Sequence, residues 1–141
     1  MTFVEAAKAA LVNYAEFSGR SSRMEFWSFQ LAVAVTLGGL IGAAFLMIGI
    51  ASLLSEMTAL MTAFLIVSVL FLAAYLMAFI LVIVPWLAVC TRRLHDTNRS
   101  ASWLLIALFV PFGQLVVLFF LATESDPGPN DYGPNPYAPT F

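Results

Sequence analysis

The fold class this sequence predicts is an all-α membrane bundle: a short amphipathic helix, three transmembrane helices and an extended Pro-rich tail. Three observations carry that expectation. Hydrophobic residues make up 62% of the 141 and charged residues only 10%, with a mean hydropathy of +0.95, whereas soluble domains carry roughly 25% charge. Charge-free intervals run over residues 26–55, 57–91 and 100–123, and each exceeds the ~20 residues that cross roughly 30 Å of hydrocarbon at about 1.5 Å per residue. None holds two crossings and a turn, which need more than about 40 residues. The third observation is that Lys8, Arg20, Arg23, Arg92, Arg93 and Arg99, all six cations, lie before the first interval or between the second and third.

Residues 1–17 lack the basic start and continuous apolar core of a cleaved leader, so they read as part of the mature chain. Phe3, Val4, Ala7, Ala10, Leu11, Tyr14 and Phe17 recur at helical spacing, with Glu5, Lys8, Asn13 and Glu16 off that stripe. This predicts an amphipathic helix that either lies on the inner leaflet or packs on the ends of the spans. Ser18-Gly19-Arg20-Ser21 breaks it. Ser22 and Glu25 then have the S-x-x-E form of a capping box, opening the first span over residues 23–54. Ala34, Gly38, Gly42 and Gly49 leave one face of that span nearly bare, suited to a neighbouring helix of the same chain or of a second copy.

Glu56 falls in a very short external turn. The second span covers residues 58–91, with a kink expected at Pro85, and its helix continues into the basic junction 92–99. There the i, i+3 and i, i+4 spacings place Arg92, His95 and Asp96 on one face. Cys90, the single cysteine, excludes an intramolecular disulfide and reads as a small packing residue. Thr97-Asn98 reads as a turn, and Ser100 or Ser102 can cap the third run, 102–122. Pro111-Phe112-Gly113 interrupts that run. One kinked crossing is the expectation, because a re-entrant hairpin needs protein or water to satisfy its backbone. Residues 124–141 read as an extended tail, solvated by default, with Tyr132-Gly133 and Asn135-Pro136 able to dock.

With three crossings, every cation falls on one side, which the positive-inside rule makes the cytoplasm. The N-terminus is then inside and the C-terminus outside. Trp27, Trp86 and Trp103, close in sequence to the arginines, would form an aromatic belt at the same headgroup level. A cytoplasmic C-terminus would instead require the hairpin and bring the tail within reach of Arg92, Arg93 and His95.

Three blocks in this order, FSGRSSRMEFW at 17–27, RRLHDTNRSASW at 92–103 and NDYGPNPY at 130–137, with apolar runs between them, resemble the small bacterial inner-membrane proteins classed as domain of unknown function 805. The family tail commonly reads N-R-[YF]-G-P-[DN]-P; Asp131 stands here in place of the basic residue, and Asn98 and Ala101 stand where small residues or glycine are often found. The resemblance implies a multi-pass inner-membrane protein and supplies no activity.

Chemistry is therefore weighed from the residues. His95 beside Asp96 is the only acid-base candidate, but neighbours on a helix point about 100° apart and no nucleophile accompanies them. No phosphate loop, dinucleotide fingerprint, cysteine pair or H-E-x-x-H is present, and one histidine makes no zinc site. The expectation is no catalytic residue, no cofactor, no metal and no nucleic-acid partner. A structural, interaction or anionic-lipid-binding role is expected instead. Arg20, Arg23, Arg92, Arg93, His95 and Arg99 would meet lipid phosphate or a partner, with Glu25 and Asp96 pairing with some of the arginines across helices. The alternative from another class is an oligomeric transporter or pore. The spans carry no intramembrane Asp, Glu, His or Arg of the usual kind, and three helices enclose little volume, so it needs several copies.

Overall fold

The computed structural model describes residues 2–54 and 56–135; Ser55 in the expected external turn and the tail beyond Asn135, with the Pro136 part of the expected dock, lie outside them. The order is α1 (Phe3–Val12), α2 (Arg23–Leu53), α3 (Thr58–Asp96), α4 (Trp103–Phe109) and α5 (Gly113–Ala122). Among the described residues there is no strand, only one isolated bridge between Asn130 and Gly133.

α1 starts at a capping box directly before the apolar stripe and ends at Val12, so Tyr14 and Phe17 of the expected stripe fall outside the helix. Thr2 Oγ1 accepts from the Glu5 amide at 3.3 Å while the Glu5 carboxylate accepts from the Thr2 amide at 2.8 Å. α2 begins as its sequence predicts, with Ser22 Oγ accepting from the Glu25 amide at 3.1 Å. α3 runs through Pro85 and on to Asp96. It ends in a Schellman motif: the Asn98 amide donates to the His95 carbonyl at 3.0 Å and the Arg99 amide to Leu94 at 2.9 Å. Asn98 itself takes the left-handed conformation, φ 53°, which asparagine tolerates better than most residues.

The third apolar run departs from the kinked crossing expected over residues 102–122. α4 and α5, 7 and 10 residues long, measure only about 10 and 15 Å, well short of roughly 30 Å of hydrocarbon. They fold back on each other. The Trp103 and Phe120 rings meet edge to face with centroids 4.8 Å apart, so the start of α4 and the end of α5 lie side by side. Gly113 makes this possible, because a Cβ there would stand 2.0 Å from the Ile106 carbonyl oxygen. Phe112 bears the turn in the left-handed region, φ 62°.

Two compact units divide the chain, residues 1–30 with 84–141 and residues 31–83. Small and aromatic side chains fill the first: Ala6, Ala10, Phe26, Phe29, Ala88, Val89, Cys90 and Leu94 are at most 1% exposed. The second consists of the apolar lengths of α2 and α3. Of the most apolar 18-residue stretch of each long helix, 6% is buried, the reverse of a soluble core helix. Within this unit the buried α2 positions are Ala44 and Ala51. Ala34, Gly38, Gly42 and Gly49 are all exposed, and a Cβ at any of these three glycines would meet no described atom within 4 Å. The face expected to receive a neighbouring span of the same chain is left open.

Candidate functional site

The first unit is built around Arg20, Arg93 and Asp96, whose side chains are at most 1% exposed. Local structure brings them together. Gly19, at φ 77°, turns the chain after α1. The Ser18 amide, at 3.0 Å, and its hydroxyl both donate to Glu16, holding that carboxylate below its usual range. Ser21 then donates its amide to the Arg92 carbonyl at 3.1 Å, fastening the turn to the last turns of α3.

Asp96 is bidentate. Its Oδ1 accepts from Arg20 Nε at 2.8 Å and its Oδ2 from Arg93 Nη1. Arg92 turns instead to Glu25, Nη2 to Oε1 at 3.0 Å, both side chains nearly buried. Glu25 of α2 and Arg92 of α3 lie across two helices, whereas Asp96 engages Arg93 of its own helix and Arg20 of the α1–α2 turn, and the shared face expected for Arg92 and Asp96 is not used by that pair. Three guanidinium groups against two carboxylates leave one surplus positive charge and more N–H donors than side-chain acceptors. A buried charge needs both kinds of compensation.

Backbone carbonyls of the C-terminal part provide it. Arg93 Nε donates to the Leu121 carbonyl at 2.9 Å, and Nη2 to that of Thr123. These lie at the end of α5, where carbonyls lack helical partners and the dipole is negative. Arg20 Nη1 donates to Gly128 at 2.7 Å and Gly133 at 3.3 Å, and Nη2 to Asp126 at 2.6 Å and Asp96 at 3.3 Å. With its Nε on Asp96, every donor of that fork has an acceptor. The tail is fixed further by the Asp126 amide on the Asp96 carbonyl at 3.0 Å and Asn130 Nδ2 on the His95 carbonyl at 2.9 Å.

His95 completes the dock. Its ring stacks on Tyr132 with centroids 3.8 Å apart and planes 5° from parallel. Nδ1 lies 3.2 Å from the Gly19 carbonyl, an acceptor only, which places a proton on that nitrogen. The imidazole therefore links the α1–α2 turn to the tail, and its neighbour Asp96 points to the arginines.

Of the cations expected to meet phosphate, Arg20 and Arg93 are turned inward and engaged, and Arg92 is turned inward against Glu25 with no hydrogen-bond acceptor at its buried Nε among the described residues. Arg23, 49% exposed in its side chain, reaches Glu124 at 3.5 Å on the surface. Arg99 is half-buried, donating to Thr97 at 3.0 Å with its guanidinium 4.1 Å over the Phe120 ring. What the spacing of residues does not reveal is the acceptor set: carbonyls of Leu121, Thr123, Asp126, Gly128 and Gly133. The available signal was the surplus of arginine over carboxylate in the two charged blocks. Among the described residues no group of three His, Cys, Asp or Glu side chains is placed to hold a metal.

Two long outward-apolar helices, a folded-back hairpin and an internal arginine-carboxylate clamp define a small helical membrane protein whose charged cluster is built into its fold. The profile described as "Protein of unknown function (DUF805)" matches residues 14–134, and the chain belongs to that family. It is similar to inner membrane protein YhaI of Escherichia coli (strain K12), 39% identical over 125 residues covering 88% of each chain. It is also similar to inner membrane protein YhaH of the same strain, 36% identical over 122 residues covering 86% of this chain and 88% of that one. No solved structure matches.

Proposed function

We propose that this is a multi-pass protein of the bacterial inner membrane that acts as a structural or interaction module and not as an enzyme. It crosses twice, through α2 and α3, with α4–α5 a re-entrant hairpin, and both termini are cytoplasmic. The observation that carries this reading is the engagement of Arg20 and Arg93 by carbonyls of the α5 end and tail. It supports a C-terminus on the same side as the arginine blocks. Two crossings keep all six cations on that side and leave the short loop with Glu56 outside, as positive-inside asymmetry favours.

In this reading the inner arginines hold a cap of turn, α3 end, hairpin and tail. Lys8, Arg23 and Arg99 remain for anionic headgroups at about 1 kcal/mol each. Reporters active on one side of the membrane, fused before Met1 and after Phe141, test the topology. Both reporting cytoplasm is the expected result; an external Phe141 reporter would restore three crossings and sink the two-crossing topology.

A further inference from the structure

α1 is amphipathic in the wrong direction for a helix that only packs on its own protein. It buries Ala6 and Ala10, both 0% exposed, and turns out Phe3 at 43%, Val4 at 62% and Leu11 at 53%. At about 100° per residue, Val4, Ala7 and Leu11 share an arc about a third of a turn from the Ala6–Ala10 edge. A helix whose environment is its own core and water buries its bulky stripe. Here the alanines allow close approach to the first unit while the bulky stripe faces away. Lys8 borders that stripe and is exposed. Tyr14 and Phe17 continue the exposed apolar surface, and Met24 and Trp27 carry it onto α2, the first span.

We infer that α1 lies in the plane of the cytoplasmic leaflet, with Phe3, Val4 and Leu11 among the acyl chains and Lys8 and Arg23 on anionic phospholipid headgroups. The inference rests on the membrane reading above and adds the surface and its lipid chemistry. Such helices bury their apolar faces roughly 5–10 Å into the headgroup and acyl boundary, and binding strengthens with anionic lipid. The exposed 3.5 Å contact between Arg23 and Glu124 does not compete strongly, since surface pairs contribute about 0–1 kcal/mol.

The test uses the full chain carrying Cys90→Ala, reconstituted in phosphatidylcholine vesicles with or without phosphatidylglycerol. A polarity-sensitive dye is attached singly at Leu11→Cys, at Ala9→Cys on the opposite arc, or at Phe45→Cys in α2. Quenching by a lipid-borne nitroxide and by aqueous acrylamide is compared. The Leu11 site should be quenched by nitroxide about threefold more than Ala9 and by acrylamide about threefold less. Phosphatidylglycerol should widen the contrast, and Lys8→Glu should abolish the widening. Equal quenching at Leu11 and Ala9, with Phe45 strongly quenched by nitroxide, would overturn the in-plane helix alone. A contrast indifferent to phosphatidylglycerol would overturn its anionic preference. A Phe45 site reached by acrylamide and not by nitroxide would overturn the membrane reading and this inference together.

Discussion

Asp96 accepts from Arg20 on one oxygen and from Arg93 on the other, so its charge cannot be removed without stranding two buried cations. Asp96→Asn should therefore cost about 3–5 kcal/mol, read as a shift in the unfolding midpoint of the purified protein in mixed micelles. Arg93→Lys should also be poorly tolerated. An ammonium has three donors on a flexible stem and cannot span the Leu121 carbonyl, the Thr123 carbonyl and Asp96 together. Arg23→Ala, which removes only an exposed contact, should change stability by less than about 1 kcal/mol. If these three variants were equally mild, the clamp would not hold the fold. His95→Ala removes a stacked ring and one bond to Gly19. Its expected effect is about 1 kcal/mol, with earlier protease cleavage in residues 124–135 than in the unaltered protein.

The α4–α5 hairpin depends on one close approach. Gly113→Ala places a Cβ 2.0 Å from the Ile106 carbonyl oxygen, and neither backbone can yield without opening the turn. Phe112→Gly should be neutral or stabilising, because it relieves a left-handed residue at about 1–2 kcal/mol. A cysteine pair replacing Trp103 and Phe120, whose rings are in edge-to-face contact, should crosslink within one chain with a bifunctional thiol reagent, whose spacer covers a gap that a direct disulfide need not. Failure to crosslink would count against the folding back of α4 on α5. Gly42→Leu tests the open face of α2. A Cβ at Gly42 meets no described atom of its own chain within 4 Å, so the open face should admit the side chain and stability of the monomer should hold. A fall in chemical crosslinking between copies would then assign that face to self-association. The third run folds back at 111–113, where one kinked crossing was expected, for a physical reason: length and hydropathy count residues, whereas Gly113 permits a contact between segments that no periodicity reports.

At the scale of the molecule, the charged cap closes a loop between chain segments far apart in sequence. Residues 20–25, 92–96 and 121–133 converge, and each alone carries unsatisfied charge or unsatisfied carbonyls. Removing residues 124–135 should leave Arg20 with buried donors lacking acceptors, so the truncated chain should unfold at a lower midpoint and degrade faster in cells. Because the inner pairs are sheltered, stability of the intact protein should change little between 0.1 and 1 M salt, where the Debye length falls from about 10 to 3 Å. A steep loss with salt would move the stabilising charges to the surface.

What the sequence determined by itself was the solvent of the fold and the sites of its charges. Scarcity of charge and the length of apolar runs sufficed for α2 and α3 as two long apolar helices, because hydrocarbon thickness imposes its own ruler on composition. The Ser22 cap of α2 and the turn at Asn98 were legible because their bonds are local. Tertiary structure alone decided that the third run folds back and that Arg20 and Arg93 face inward to the tail. It also decided that α1 hides its alanines and turns out its bulk. Each of these depends on which distant carbonyl or surface a side chain meets, and residue type constrains the need for a partner without naming it.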